Sequence, residues 1–443
     1  MQNRRSFLKN IALGAAAVYS HNTFSIPKFQ MGLTRKNMDD NINIALIGKG
    51  GMGTADTRTA LSVEGVKLVA VCDLYDRRLD EAVKQWGNDL FLTKDYKEIL
   101  ALKNVDAVII ATPDHWHQPI AVEAMEAGKH VYCEKPVIHK LKEGKKLIEV
   151  QKKNRVFFQV GSQGMASIGN RVAKILVNSG LIGQVNYIEG HFSSAPGELN
   201  SFVAPVDADQ KTIWWDRFLG DAPKIPFNAQ RFFAWRNWRD YGTTLSGDLF
   251  VHVLASVHYI MGAIGPTKVY ATGGIRHYTD GSRDTPDVML AYFDYPDRNN
   301  LGAFTLSLGA NYADGISKKW GSTNFTIVGS KGTLEVGWDN VILKTIYNID
   351  IKDFGALYQI GYGMDNPQKV SSHEYVFQAE KEYKGGHYDH FYNFFRGIRE
   401  NIPLTADVLF AVRSAAPALL CYESLLRNQA IYWDAESLAG KNM

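Results

Sequence analysis

The chain has 443 residues, of which 45% are hydrophobic and 21% are charged, so it is long enough for two or three globular domains. Its formal net charge is +3, but six basic residues precede the first acidic residue, Asp39, and the rest of the chain without those six carries −3. A slightly acidic body argues against nucleic acid and an anionic membrane surface as partners, so we expect neither nucleic acid nor a membrane for the mature chain.

The first twenty residues have the features of an export signal. A twin-arginine pair, Arg4 and Arg5, precedes a short apolar run over residues 11–18 that is too short to span a bilayer. We therefore predict a signal peptide over residues 1–20 and a periplasmic or secreted protein that uses the twin-arginine route. A tail with two chance arginines is the alternative. The polar residues 21–40 are predicted to form a linker.

The three cysteines do not indicate a disulfide framework or a zinc site. Cys72, Cys133 and Cys421 are odd in number, and each lies in an apolar segment. We predict that they are buried and act as small hydrophobic side chains, even if the protein is exported.

Predicted strands and helices alternate from Asn43 onward. The run over residues 105–111 is almost continuously apolar, as a central strand covered on both faces should be. The predicted strands cover residues 44–47, 66–72, 90–92, 105–111 and 130–133. This alternation predicts an α/β fold over residues 41–160, in which a doubly wound parallel sheet of the Rossmann type binds a dinucleotide.

A different pattern extends over residues 161–443. Alternating apolar and polar residues predict strands separated by turns, and two helices are predicted over residues 388–399 and 408–427. The predicted strands cover residues 185–192, 269–273, 288–293, 303–308, 325–328 and 333–336. We therefore predict a second, α+β domain with an open, mostly antiparallel sheet that has helices on one face.

A glycine-rich turn follows the first predicted strand. Gly48, Gly50 and Gly53 occupy the glycine positions of the pattern G-x-G-x-x-G, with Gly51 and Met52 between them. The first glycine permits a tight bend, the second lets the backbone approach a pyrophosphate, and the third lets helix and strand pack closely. We predict that these residues bind the cofactor phosphates at a helix N-terminus, whereas a purely structural turn is the alternative.

The residue that follows the second predicted strand favours NAD as the cofactor. Asp73 lies 20 residues after Gly53, where a carboxylate can accept hydrogen bonds from the adenosine ribose hydroxyls. Its charge should repel a 2′-phosphate, so NADP is less favoured. The neighbouring Arg77 and Arg78 could weaken that preference.

Two further strand ends carry polar residues at the edge where open α/β sheets bind ligands. One is the segment TPDHWH at residues 112–117, and the other is Glu134-Lys135-Pro136. A desolvated lysine can exchange a proton near neutral pH, so Lys135 is a candidate acid–base group. A surface lysine at the end of a strand is the alternative.

These motifs resemble those of the Gfo/Idh/MocA family, which includes glucose-fructose oxidoreductase and inositol dehydrogenase. The resemblance rests on the glycine turn, on residues 112–117, on AGKHVYCEKP at residues 127–136 and on a later aspartate–histidine pair, and it covers nearly the whole chain after the linker. It implies that Lys135 contacts substrate and nicotinamide and that the Lys135–Pro136 bond is cis. It also implies cofactor contacts by Thr112, Pro113, His115, His117 and Glu134.

The aspartate–histidine pair lies in the segment GDLFVH. Asp248 and His252 are four residues apart and hence share one face of a predicted helix that is apolar on almost all sides. The resemblance implies that His252 exchanges the proton of the substrate hydroxyl while Asp248 orients the substrate or the histidine. A histidine satisfied within the core is the alternative. Phe250 and Ala255 replace a glycine and an aspartate that are common in the family, so the pocket is expected to be narrower and less polar.

His115 and His117 form an H-x-H pair, which can bind zinc or copper at a strand end. No cysteine or glutamate-rich set accompanies the pair, and hydride transfer with a lysine acid needs no metal. We therefore expect no metal, and the resemblance implies that this loop borders the nicotinamide.

The segment over residues 192–241 is rich in aromatic residues interleaved with arginines. Aromatic faces and planar guanidinium groups suit sugar rings, so Trp235 and Trp238 are predicted to contact a carbohydrate substrate. An interface between domains or subunits is the alternative. Gln163 is a further predicted substrate contact, because the resemblance implies a polar pocket residue there. The arginines are Arg217, Arg231, Arg236 and Arg239.

These features predict an NAD-dependent oxidoreductase that takes hydride from a carbinol carbon of a sugar, polyol or glycoside, with Lys135 and His252 as acid–base groups. The alternative is a redox-neutral glycoside hydrolase that oxidises, eliminates and reduces again with a tightly bound cofactor, which export away from a free NAD pool would favour. A third hypothesis is an NAD-holding protein without turnover. Open sheets commonly pair in the resembling family, so we expect a homo-oligomer.

Overall fold

The computed structural model describes residues 41–198, 202–315, 324–350, 354 and 364–440. The predicted signal peptide and linker, residues 1–40, lie outside the described residues. The described chain contains one parallel sheet and one mostly antiparallel sheet, each with helices packed against it. The predicted fold class is therefore confirmed.

The first sheet is parallel and comes from the first 160 residues or so of the chain. Its strands are β1 (Ile42–Ile47), β2 (Val66–Cys72), β3 (Phe91–Thr93), β4 (Ala107–Ile110), β5 (His130–Glu134) and β6 (Phe158–Gly161). They lie in the order β3-β2-β1-β4-β5-β6. Strands 1 to 3 are added towards one edge of the sheet and strands 4 to 6 towards the other, so the strand order reverses between β1 and β4. Ligands bind at such a switch point, outside the carboxyl ends of the strands.

Helices connect successive strands of the first sheet. They are α1 (Gly51–Leu61), α2 (Asp76–Trp86), α3 (Tyr96–Ala101), α4 (His117–Glu126) and α5 (Glu143–Asn154). The helix α1 begins within the glycine turn, at Gly51, and its first N–H groups are therefore available at the end of β1. The helix α4 ends just before Gly128, whose φ of +75° is the left-handed conformation expected of a glycine that follows a helix.

Among the described residues, the second sheet has eleven strands. They are β7 (Val185–Ser193), β8 (Lys268–Gly274), β9 (Val288–Tyr295), β10 (Phe304–Asn311), β11 (Phe325–Gly329), β12 (Gly332–Val336), β13 (Asn340–Thr345), β14 (Gln368–Ser371), β15 (Glu374–Gln378), β16 (Ile431–Asp434) and β17 (Ala439–Gly440). Neighbouring strands are antiparallel except for β7 and β10, which pair in parallel. The sequence pattern predicted β7 to β12 but not the last five strands.

The later helices include three that form the core of the second half. The helices are α6 (Ile168–Asn178), α7 (Trp215–Leu219), α8 (Ala229–Phe233), α9 (Val251–Met261), α10 (Gly386–Glu400) and α11 (Val408–Arg427). The helix α9 packs against α6 and α11, and buried residues from all three join the core of the second sheet. The helix α11 is long and apolar enough to cross a membrane, but most of its apolar stretch is buried inside the fold.

The C-terminal helices tie the two halves together. Phe391, Phe394 and Phe395 of α10 are fully buried against the first sheet, and the ring of Phe391 stacks on that of Tyr132 with centroids 4.2 Å apart. Residues at the start of α11 also join the core of the first sheet. A segment that the sequence interpretation assigned to the second domain therefore completes the first one.

The segment before α9 is wound more widely than an α-helix. Residues Ser246–Phe250 form a π-helical turn, and α9 continues directly from it. Such turns are frequent at functional sites because the extra residue displaces a side chain from the regular helical spacing. Here the turn carries Asp248, whereas His252 lies on the first turn of α9.

Candidate active site

A cleft of about 460 Å³ lies at the carboxyl ends of β1, β2, β4 and β5, and residues from both halves of the chain line it. Volumes of this size are typical of small-molecule sites. Most of the predicted site residues line this cleft. They are Gly48, Gly50, Gly51, Met52, Asp73, Thr112, Pro113, His117, Glu134, Lys135, Gln163, Trp235, Asp248 and His252.

Three of the four glycines in the glycine turn differ in their physical constraints. Gly48 has a φ of +97°, and a Cβ atom there would lie 2.6 Å from the carbonyl oxygen of Ala111. A Cβ atom on Gly53 would lie 2.0 Å from the carbonyl oxygen of Gly48, so this glycine lets α1 pack on β1. A Cβ atom on Gly50 would meet no protein atom within 4 Å, although Gly50 lines the cleft. The space beside Gly50 is therefore a cradle that fits a ligand, as the pyrophosphate of a dinucleotide requires.

Asp73 is held at the β2 end of the cleft by hydrogen bonds from backbone N–H groups. Its carboxylate accepts from the N–H of Lys49 at 2.8 Å and from the N–H of Tyr75 at 3.0 Å. The guanidinium of Arg78 lies 3.4 Å from the same carboxylate, and Arg77 instead pairs with Glu81 on the surface. Asp73 is thus fixed where a ribose hydroxyl can reach it, with Arg78 as its neighbour in the cleft wall.

The two histidines of the loop after β4 lie in different surroundings. The ring nitrogens of His117 lie 2.7 Å from the carbonyl oxygen of Pro136 and 2.8 Å from that of Thr112, so the imidazole joins two strand ends. His115 was predicted to contact the cofactor, but it does not line the cleft. Its ring packs on Phe218 and Tyr241 and lies 2.8 Å from the carbonyl oxygen of Phe218. Burial lowers the pKa of both histidines, that of His115 to about 3.

Lys135 and Asp248 join the two halves of the chain across the cleft. The ammonium Nζ of Lys135 donates to the backbone oxygen of Asp248 at 2.7 Å and to its Oδ1 atom at 2.9 Å. The Lys135–Pro136 bond is cis, as the resemblance implied. Burial alone would raise the pKa of Asp248, but the charges of Lys135 and Arg236 outweigh it and hold that pKa below its usual range. Asp248 is therefore ionised.

His252 is a neutral imidazole beside this ion pair. Burial, followed by the charge of Lys135, lowers the pKa of His252 to about 3, and Asp248 only partly opposes this shift. Among the residues that the structure describes, its ring nitrogens have no hydrogen-bond partner. A neutral imidazole that lines a cleft without a protein partner can accept a proton from a bound hydroxyl group.

Glu134 and Gln163 form a second polar group in the cleft wall. The amide Nε2 of Gln163 donates to Oε1 of Glu134 at 2.6 Å and to the hydroxyl of Tyr132 at 2.8 Å. The backbone N–H of Lys135 donates to Oε2 of Glu134 at 3.2 Å. Burial, reinforced by the neighbouring Asp56, raises the pKa of Glu134 to about 8. Gln163 lines the cleft as well, and its predicted contact with the substrate stays a prediction.

The aromatic segment supplies only part of the cleft wall. Trp235 lines the cleft, and the guanidinium of Arg236 lies 4.2 Å from its ring centroid and 3.3 Å from Oδ1 of Asp248. Trp238 was also predicted to contact the substrate, but it lies outside the cleft lining, where the guanidinium of Arg231 covers its ring at 3.6 Å. Phe218, Phe232 and Phe233 also line the cleft, and they belong to or pack on a small core that includes α7.

Sequence reasoning did not single out three residues that the structure places in or behind the site. Arg236 was one of four arginines in the aromatic segment, and the sequence did not distinguish it from the other three as a site residue. Asp56, on α1, and His387, on α10, were not considered, and they lie 2.8 Å apart behind Glu134. The sequence did contain a signal for Asp56, since it is an acidic residue on the face of a helix that must pack on the sheet. Burial of an acidic side chain is unfavourable unless the side chain is paired.

A glycine cradle at a strand–helix junction, a ribose-binding carboxylate and an acid–base set at the other strand ends define a dinucleotide-dependent oxidoreductase site. Comparison with known families agrees. Residues 42–162 match the Gfo/Idh/MocA oxidoreductase family, NAD-binding Rossmann fold, and residues 222–431 match the C-terminal alpha/beta domain of the same family. The chain belongs to this family, and its N-terminal domain is NAD-binding.

Curated relatives match over a limited stretch. A protein described as "Glycosyl hydrolase family 109 protein" from Shewanella baltica is 36% identical over 159 residues, which cover 30% of this chain and 34% of that protein. An "Alpha-N-acetylgalactosaminidase" from Shewanella oneidensis is 33% identical over 177 residues, 34% of this chain and 38% of that protein. The chain thus spans about a third of the length of the curated relatives it matches.

Solved structures match over most of the chain. A levoglucosan dehydrogenase in complex with NADH superposes with a TM-score of 0.66 at 19% identity, over 89% of this chain and 99% of that one. At this identity the match shows the shared two-domain fold.

Proposed function

We propose that the protein is an NAD-dependent oxidoreductase that acts on a carbinol carbon of a sugar, polyol or glycoside. The observation that carries the proposal is the meeting of Lys135, Asp248 and His252, from both halves of the chain, at the strand ends of a dinucleotide cleft. The family membership and the similarity to a levoglucosan dehydrogenase support it.

The protein residues divide the proton chemistry of carbinol oxidation between them. When bound, NAD supplies the hydride acceptor. The neutral imidazole of His252 takes the hydroxyl proton, and the ammonium of Lys135 donates a hydrogen bond to the same oxygen as negative charge develops on it. Asp248 positions Lys135 through two contacts at 2.7 and 2.9 Å. We assign to Trp235 and Arg236 the contacts with the ring and hydroxyl groups of a carbohydrate, because both line the cleft and suit such groups.

A second candidate function is a redox-neutral glycoside hydrolase. It is favoured by the curated relatives, which are described as glycosyl hydrolases, and by the predicted export away from a free NAD pool. In such a cycle a ring hydroxyl is oxidised to a ketone, the carbon next to the ketone loses a proton, and the leaving group one carbon further is eliminated. Water then adds across the resulting C=C bond, and the hydride returns to the ketone. No external oxidant is needed in such a cycle, because the cofactor ends in its starting state.

We also propose export and self-association. The Arg4-Arg5 pattern supports delivery to the periplasm or outside the cell by the twin-arginine route. The outer face of the second sheet exposes Leu290 at 43% and Tyr292 at 45%, neighbours on β9, and this supports pairing of two copies through the sheet.

The function is tested by following bound nicotinamide in the purified protein while sugars, polyols and nitrophenyl glycosides are added. Accumulation of reduced nicotinamide without loss of the aglycone supports the dehydrogenase. Aglycone release without net reduction supports the hydrolase. We expect Lys135→Ala and His252→Ala to lower kcat by about 10²–10⁴-fold, the usual contribution of an acid–base group.

Matched controls are the exposed residues Lys145 and His373, and alanine variants of both should keep the wild-type rate. If the Lys135 and His252 variants also turn over the substrates at the wild-type rate, the proposed chemistry is wrong. Absence of turnover of any substrate by a protein that binds NAD would instead favour the NAD-holding protein.

A further inference from the structure

Two carboxyl groups meet behind the cleft wall. Asp56 of α1 is 0% exposed and Glu134 at the end of β5 is 5% exposed, and the two carboxyl groups are neighbours. The Oδ1 atom of Asp56 lies 2.8 Å from Nε2 of His387, while its buried Oδ2 atom has no N–H donor among the described residues, which leaves the neighbouring Glu134 carboxyl group as its partner. Because an ionised carboxylate has no hydrogen to donate, a bond between the two carboxyl groups requires a proton on one of them.

The fold reserves space for this pair. A Cβ atom on Gly161 of β6 would lie 2.1 Å from Oε1 of Glu134, so a glycine is needed opposite the carboxyl group. Gln163 and the backbone N–H of Lys135 occupy both oxygens of Glu134 from the cleft side. The arrangement therefore fixes Glu134 with one side towards the cleft and the other towards Asp56.

Burial keeps a proton on the pair near neutral pH, and the surrounding charges oppose this only in part. The titratable and charged groups that face it are Tyr132 and Lys135 from the β5 segment and His387 at the start of α10. Burial raises the pKa of both carboxyl groups, and that of Glu134 reaches about 8 because Asp56 adds to the effect and Lys135 only partly opposes it. Burial lowers the pKa of His387, so its ring is neutral and can accept a proton from Asp56.

The three side chains connect the cleft to the protein surface. Glu134 lines the cleft, Asp56 lies behind it, and the side chain of His387 is 28% exposed. A proton that leaves Glu134 can therefore pass through Asp56 and the His387 imidazole to solvent.

The charge of the cofactor changes beside this group. Asp73 fixes the adenosine half on the β2 side of the cleft, so the nicotinamide half lies towards β4 and β5, where Glu134 is. The oxidised nicotinamide ring is a cation and the reduced ring is neutral. A cation near a buried carboxyl group favours its ionised form, whereas a neutral ring does not.

We propose that Asp56 and Glu134 form a proton-exchanging pair that releases one proton through His387 when oxidised NAD binds and takes it back when the cofactor becomes reduced. The inference rests on the proposed function in one respect, that the cleft binds NAD. The step is balanced: one carboxyl O–H bond breaks, the proton goes to solvent, and the negative charge left on the pair compensates the charge of the ring. Asp56 and His387 are positioning and proton-exchange residues in this scheme.

The proposal is tested by counting protons rather than by turnover. NAD⁺ and NADH are each titrated into the purified protein, with carried-over nucleotide removed by desalting. Proton release is measured by calorimetry in two buffers that differ in ionisation enthalpy. We expect release of about one proton per bound NAD⁺ slightly below pH 8, and almost none with NADH.

Variants assign the proton. Asp56→Asn and Glu134→Gln should bind NAD⁺ with proton release reduced to near zero, and His387→Gln should slow the release measured by stopped flow. Asp389→Asn is the matched control, because this carboxyl lies on α10 but pairs with Arg171 and does not line the cleft. Thermal unfolding of each variant shows whether it is folded.

The wild-type comparison needs no variant and can overturn the inference by itself. Equal proton release with NAD⁺ and NADH, or release that persists in Asp56→Asn, would exclude the pair as its source. Sugar oxidation is measured on the same preparation to separate the two proposals. If the protein oxidises sugar normally but shows either of these two results, the proton exchange is refuted and the proposed oxidoreductase function is not. A protein that binds no NAD would refute both.

Discussion

Arg236 is the residue through which the second half of the chain most directly shapes the substrate end of the cleft. Its Nε atom contacts Asp248 at 3.3 Å and its plane lies over Trp235, while its terminal nitrogens have no hydrogen-bond partner among the described residues. A lysine would keep the charge but lose the planar, forked donor. We expect Arg236→Lys to raise KM for the carbohydrate by about tenfold, with a smaller change in kcat, because binding contacts are lost rather than the proton-transfer groups.

Arg231→Lys is the control for this prediction, since Arg231 also stacks on a tryptophan but does not line the cleft. Steady-state kinetics with the best substrate of the panel measure both variants. Equal effects of the two substitutions, or a loss confined to kcat, would contradict the role of Arg236 in substrate binding.

Local motifs predicted some site residues much better than others. Lys135 and His252 follow from a strand end and from spacing on a helix, and the fold brings them to one cleft. Trp235 and Trp238 could not be distinguished, because they lie at and just after a short helical turn whose direction is set by packing against the small core that includes α7. His115 presents the same difficulty, since its neighbour His117 differs from it only in the side of the loop that it faces.

At the scale of elements, the glycine turn allows ligand binding to be separated from folding. Gly50→Ala places a methyl group where no protein atom lies within 4 Å, so we expect an unchanged Tm but an increase in the Kd for NAD of about tenfold or more. Gly53→Ala places a methyl group 2.0 Å from the carbonyl oxygen of Gly48, which forces α1 away from β1. We expect it to destabilise the fold by about 1–3 kcal/mol, the usual cost of overpacking.

Thermal unfolding and calorimetric titration with NAD, applied to both variants, check this pair of expectations. A lower Tm for the Gly50 variant, or full NAD affinity in that variant, would show that the space beside Gly50 is not a phosphate cradle. An unchanged Tm for the Gly53 variant would show that α1 can shift at little cost.

The elements that the sequence did not predict share a physical cause. The strands β14, β16 and β17 have only two to four residues, and β16 pairs with the distant strand β8. The apolar face of α10 is visible in the sequence as Phe391, Phe394, Phe395 and Ile398, but nothing local specifies that it packs on the first sheet. The π-helical turn at residues 246–250 likewise depends on tertiary contacts, because an extra residue in a helix has no sequence signature of its own.

At the scale of the whole molecule, the buried histidines and the buried acid pair give the free energy of unfolding opposite dependences on pH. Burial lowers the pKa of a set of histidines, to about 3 for His115, His252 and His258 and about 4 for His390, and also lowers that of His117. The unfolded chain binds protons at these groups below about pH 6.5 while the folded chain does not. Stability from this source is therefore present above pH 6.5 and is lost as the pH falls.

The acid pair acts in the other direction. The pKa of Glu134 is raised to about 8 and that of Asp56 is also raised, whereas in the unfolded chain both ionise near pH 4. The folded protein keeps protons that the unfolded chain has lost, so stability falls as the pH rises from about 4 towards 8. Between pH 5 and 6.5 the histidines have the larger effect because they are more numerous, so the free energy of unfolding rises with pH. Above pH 6.5, of these two groups, only the acid pair still changes it.

We therefore expect the free energy of unfolding of the cofactor-free protein to be greatest near pH 6.5. It should fall steeply on the acid side, because each histidine contributes up to about 1.4 kcal/mol per pH unit, and more gently towards pH 8. Denaturant unfolding across this range measures the profile. In Asp56→Asn the fall above pH 6.5 should be smaller, while Asp389→Asn should retain it. Stability that rises between pH 6.5 and 8 in the wild type would mean that Asp56 and Glu134 are ionised in the folded protein, which would remove the basis of the proton exchange.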